Sequence, residues 1–77
     1  MTAPATTLYR LRTPQDLRTA LGDVVRTDHV LQSTVELHDG RRETLLFPAD
    51  ARGRALSDVE LMVLDPRHLD PAAEPVG

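Results

Sequence analysis

The residues most suggestive of chemistry in this chain are two histidine–acid neighbours, Asp28-His29 and His38-Asp39, and a third histidine, His68. A histidine beside a carboxylate is the raw material of a metal site or an acid/base pair. The spacing opposes both. His29 and His38 differ in parity along an extended run, so their side chains leave opposite faces, roughly 30 Å apart at about 3.3 Å per residue. A closed zinc site needs four ligands converging at about 2.0–2.3 Å, and His68 can approach one of the other two but not both. All three read as solvated histidines, with His29 and His38 at strand ends, and no metal is expected.

Nucleophilic catalysis has little to work with. Ser33 and Ser57 are the only serines, neither sits in a G-x-S-x-G elbow, and neither has a histidine at a suitable spacing. The chain has no Cys, which removes a thiol nucleophile, a thiolate zinc site and a disulfide framework together. No phosphate-cradling glycine loop and no H-E-x-x-H is present. Paired carboxylates need a cleft, for which a small sheet with one helix has little room. The expectation is a protein that is not an enzyme and takes no cofactor.

Arginine offers a second kind of chemistry. All nine basic residues are Arg. GC-rich coding accounts for that simply; bidentate recognition of phosphate is the sharper reading. Arg41 and Arg42 begin one predicted strand, and Arg52 and Arg54 lie in the loop after it, roughly 20 Å away. Such a stripe, extended by Arg10 and Arg12, suits phosphate contacts of a nucleic-acid-binding accessory or transcriptional regulator. Against this, the net charge is −3, and Tyr9 and Phe47 are the only aromatics available for stacking bases. The charge is also uneven: eight Arg oppose seven acids up to Arg54, and Arg67 alone opposes Asp58, Glu60, Asp65, Asp70 and Glu74 after it.

The strongest functional signal is a surplus of apolar residues. Leu45-Leu46-Phe47 and Leu61 to Leu64 are apolar on both faces of an extended chain. A sheet covered on one side leaves the other to water or to a partner. The predicted contact surface is Leu46, Met62 and Leu64, rimmed by Arg42 and Glu60. It implies an adaptor, inhibitor or regulatory subunit that binds a protein partner or a second copy of itself, as a homodimer. The alternative is a sheet that curls into a small barrel and buries both faces.

The elements that must carry these residues follow from local patterns. Residues 1–6 are Thr/Ala/Pro-rich and read as frayed, with no leader-like apolar stretch. Residues 70–77, DPAAEPVG, read as a disordered acidic tail. A single domain over 7–69 remains, without a run long enough to span a bilayer, and a soluble, cytoplasmic protein is expected. Residues 7–12 alternate as a strand. Thr13-Pro14-Gln15-Asp16 resembles a helix start, with Leu17, Ala20, Leu21, Val24 and Val25 on one face and Gly22 either tolerated or acting as a cap. His29 to His38 is the clearest strand, with Leu31, Ser33, Val35 and Leu37 assigned to the core face. Asp39-Gly40 marks a hairpin, returning through residues 41–47 and stopped by Pro48. A three-residue loop is favoured over a two-residue one, because it sets Glu36 against Arg42 and Thr34 against Thr44. Residues 57–65 fit a third meander strand better than a capped helix, and Pro66 to Leu69 fits one closing turn. The expected fold is α+β: a three- to four-stranded antiparallel sheet covered by one amphipathic helix, in the order β-α-β-β-β.

Overall fold

A computed structural model describes residues 5–76 of the chain. It contains β1 (Ala5–Arg18), β2 (Val24–Glu36), β3 (Arg42–Ala49), a one-turn helix α1 (Pro66–Leu69) and a two-residue β4 (Glu74–Pro75). The strands form one antiparallel sheet in the order β3-β2-β1-β4. Of the N-terminal segment expected to fray, residues 1–4 lie outside the described residues, as does Gly77, while Ala5 and Thr6 already belong to β1. Among the described residues no helix is long and apolar enough to cross a membrane.

The α+β expectation fails at its helix. The chain from Thr13 to Val25 is the distal half of a long hairpin, in which Gln15 to Arg18 pair with Val24 to Thr27. The supposed helical face is split: Leu17 is buried and Val25 half-buried, but Ala20, Leu21 and Val24 are exposed. Local helix preference yields here to cross-strand pairing and burial. Thr13-Pro14 caps no helix. The β1–β2 register jumps from Arg10–His29 to Gln15–Thr27, so Leu11 to Pro14 face Asp28 alone. Pro14 lies in this wide bulge, where its missing N–H removes no ladder bond.

One turn design is used three times. Thr19 N–H bonds to Asp23 C=O and Gly22 N–H to Thr19 C=O; Leu37, Gly40 and Arg41 repeat the pattern, as do Asp50, Gly53 and Arg54. Each is a three-residue loop ending in glycine, and Gly22, Gly40 and Gly53 have φ of 90°, 83° and 84°. That left-handed backbone is open to glycine at little cost. The second turn sets the register favoured from cross-strand pairing, with Glu36 opposite Arg42 and Thr34 opposite Thr44.

Two further expectations need correction. Pro48 does not end β3, which continues to Ala49. The Pro48 carbonyl accepts from Leu56 N–H on the outer edge, so the ring nitrogen faces away from β2 and no ladder donor is missing. Residues 57–65 form neither a regular strand nor a helix. The Ser57 hydroxyl accepts from Val59 N–H rather than capping a helix, and only isolated bridge contacts are made. Those contacts matter. Ala20 N–H bonds to Glu60 C=O, Met62 N–H reaches Arg18 C=O at 3.4 Å, and Leu61 N–H bonds to Leu46 C=O at 2.7 Å. Hydrogen bonds therefore run from β3 through β2 and β1 to this segment and back to β3, bringing the two ends of the sheet together.

The core lies inside that curl: Leu17, Val30, Leu46 and Leu61, with Tyr9, Val63 and Leu69 against them. This reverses the expected face of β2, because Val30 is buried while Leu31, Ser33 and Val35 are half-buried. Curling makes one face concave, and a central residue on that face loses all contact with water. In place of the disordered tail expected for residues 70–77, the chain to Val76 lies along the outer edge of β1. The closing turn expected at Pro66 to Leu69 is α1, capped by the Asp65 side chain, which accepts from Arg67 N–H.

Truncating Leu46 to Ala is expected to cost about 2–5 kcal/mol, read as a shift in the urea midpoint. Gly40→Ala is expected to cost about 1–2 kcal/mol from backbone conformation alone, since a Cβ there meets nothing within 4 Å. A Gly40→Ala variant as stable as the parent would contradict this account of the turn.

Candidate functional site

Beyond its bulge, β1 and the residue after it alternate strictly: Asp16 and Arg18 face solvent, Leu17 and Thr19 face the core. Residues directly opposite in an antiparallel pair share a face. Val24 is paired with Arg18, and the Thr19–Leu61 bridge sets Met62 beside Arg18 on its other side. Val24, Arg18 and Met62 thus form a row across three extended segments on the outer surface. Leu21 crowns the adjoining turn, which the buried Thr19 hydroxyl pins by accepting from Asp23 N–H at 3.2 Å. Leu21, Val24, Met62 and Leu64 are 77%, 54%, 68% and 61% exposed. The Asp16–Arg26 ion pair at 3.1 Å borders the row.

The predicted contact residues divide. Met62 lies in this row, Leu64 is exposed two residues further on, and Glu60 adjoins the row half-buried, its carbonyl held by Ala20 N–H. Leu46 is fully buried beneath, because its place in β3 points into the concave face. Arg42 is remote, at the start of β3 opposite Glu36. Sequence reasoning missed Leu21, Val24 and Arg18 by assigning them to a helix. The signal was present in Gly22, which follows two non-glycine residues in the same way that Gly40 follows His38-Asp39.

The arginine stripe is broken up by local acids. Arg41 and Arg42 lie at one end of β3 and Arg52 and Arg54 beyond the other. Arg41 donates through Nε to the Asp39 carboxylate, which also accepts its N–H. The N–H groups of Arg52 and Arg54 both donate to Asp50 Oδ1 at 2.9 Å. The Arg54 N–H lowers the Asp50 carboxyl most; burial, next in size, opposes it, and the Arg52 N–H and the two guanidinium charges add to the lowering.

The histidines do not converge, and among the described residues no three His, Asp or Glu side chains group as a metal would require. His38 and His68 are exposed, but His29 is buried rather than solvated, with Nδ1 2.7 Å from Asp28 Oδ1. The structure places it inside the strand instead of at its end, because β2 starts five residues earlier than the alternation indicated.

The most heavily bonded charged group is Asp70, 4% exposed. Its carboxylate accepts from Arg12 N–H at 2.7 Å, Arg12 Nε at 3.2 Å and Ala72 N–H at 2.9 Å. Gln15 Nε2 donates to Leu69 C=O alongside. An open depression of about 250 Å³ lies here, lined by Arg12, Thr13, Gln15, Leu69, Asp70 and Pro71. Here the buried Asp70 is an internal partner of Arg12, whose guanidinium is otherwise exposed. The Arg12 N–H first, then the Ala72 N–H, lower the Asp70 carboxyl against the opposing effect of burial. Because the folded-state value lies below the unfolded one, the stabilisation is complete above the ordinary carboxylate range and is lost as pH falls through the lowered value. The melting temperature is therefore expected to drop on acidification below about pH 5. Asp70→Asn is expected to lower it at neutral pH and to flatten the acid limb; an unchanged acid limb would sink this assignment.

Comparison with protein-family models, with curated proteins and with solved structures finds no match for this chain, so the geometry above is the ground for a functional reading.

Proposed function

We propose that this protein is a small interaction module that binds a protein partner through the outer surface of the first hairpin tip and the Met62–Leu64 segment. The observation that carries the reading is the clustering of Leu21, Val24 and Met62 around Arg18, with Leu64 two residues further on, all strongly exposed. Single exposed apolar residues are ordinary; several large ones together mark a contact surface. Arg18 within the cluster and Asp23 and Glu60 beside it suit a protein surface, since charged residues among and around apolar ones select partners and orient them. The alternative, nucleic-acid binding through Arg41, Arg42, Arg52 and Arg54, has less support, because those residues stand in two groups at opposite ends of β3, beside Asp39, Glu36 and Asp50.

Met62→Asp and Leu21→Asp separate binding from folding. Both positions are exposed, so stability is expected to change by no more than about 0.5 kcal/mol. The tagged wild-type chain is expected to retain a stoichiometric protein, or a second copy of itself, after nuclease treatment, and the variants to lose it. Retention that nuclease abolishes, or that both variants preserve, refutes the reading.

A further inference from the structure

The last described stretch, Asp70 to Val76, is an unusual edge strand. It runs along β1 with two registered pairs, Tyr9–Pro75 and Arg10–Glu74, and a bond from Val76 N–H to Leu8 C=O at 2.8 Å. Pro75 has no N–H to give. Only Asp70 and Ala73 of the stretch are buried, while Pro71, Ala72, Glu74, Pro75 and Val76 are exposed. The strap is held mainly at one end, by the Asp70 carboxylate on Arg12 and Ala72. Segments with few buried contacts and exposed main-chain bonds open at a lower free energy than the core.

The edge under the strap has a definite character. Leu8 presents its carbonyl outward, and Arg10 and Arg12 are both exposed along the same stretch of β1. The strap answers them with acids in register: Glu74 opposite Arg10 and Asp70 on Arg12. We infer that this strap is a displaceable internal ligand, and that the β1 edge from Leu8 to Arg12 is a docking strip for an extended, acidic segment of a partner protein that adds to the sheet in place of β4. Strand addition of this kind draws affinity from main-chain bonds and selectivity from side chains flanking the edge. The strip lies on the proximal half of β1, away from the apolar surface at the hairpin tip, and the inference does not depend on that surface.

The test uses the full chain, its Asp70→Asn variant and its Glu74→Lys variant. The second puts a lysine opposite Arg10 at an exposed position, so it loosens the strap even if the first fails to fold. Amide exchange is followed at Arg12, Ala72 and Val76, and at Leu31 and Phe47 in the middle of the β2–β3 ladder. The first group is expected to exchange while the second stays protected; Asp70→Asn is expected to speed the first group about tenfold or more, as loss of a charge-assisted bond implies, and Glu74→Lys to speed it through the like charges set opposite each other. A labelled DPAAEPVG peptide, residues 70–77 supplied in trans, is expected to bind the variants at least about tenfold more tightly than the wild type and to weaken in salt. The same peptide with lysine for its two acids is expected not to bind. Exchange of both groups in one common unfolding event overturns the displaceable strap. Equal binding of the two peptides, or none to either loosened variant, overturns the docking strip.

Discussion

The wide bulge in β1 is the constraint around which the fold is arranged. Four residues, Leu11 to Pro14, stand where β2 supplies only Asp28, so the main chain there has no ladder to satisfy it. An unbonded N–H shielded from water is costly. Asp70, arriving from the far end of the chain, meets the Arg12 N–H with one carboxylate oxygen and the Ala72 N–H with the other. The bulge in turn lets β1 change direction, so that Leu17 reaches Val30 and Leu46 instead of continuing along a flat sheet.

A chain this short has a thin core, and four buried residues make up its centre. Hydrogen bonding supplements it. Leu61 is buried while its N–H bonds to Leu46 and its neighbours bond to the first hairpin, so one irregular segment both fills the core and joins the sheet's ends. The three glycine-ended turns keep the connections short, which limits the loop entropy that so small a core must offset.

The same economy explains what remains on the outside. With the concave face taken up by the core, the distal hairpin has only its outer face to present, and that face carries Leu21 and Val24, with Met62 of the neighbouring segment beside them. Among the described residues three of the nine Arg are paired with a nearby acid, Arg26 with Asp16, Arg41 with Asp39 and Arg12 with Asp70, and acids and arginines are interspersed along the chain up to Arg54. The surface therefore has local polarity without a broad field of one sign, which favours short-range contacts over long-range attraction of a polyanion.

What was legible in the residues alone was short-range. Asp39-Gly40 specified its turn, the Glu36–Arg42 and Thr34–Thr44 pairs specified the register of β2 on β3, and Asp65-Pro66 marked the start of the closing turn, because each is decided by neighbours a few positions apart. The segment from Thr13 to Val25 was misread since its apolar spacing fits a helix and a bulged hairpin equally, and only pairing with β2 distinguishes them. The burial of Leu46 and the exposure of Leu21 and Val24 depended on which face became concave. That was decided when Leu61 joined Arg18 and Thr19 to Leu46, a contact between segments far apart in the chain. The tail was misjudged for the same reason: its composition is that of a disordered segment, and only a bulge some sixty residues earlier gives Asp70 a donor to bind.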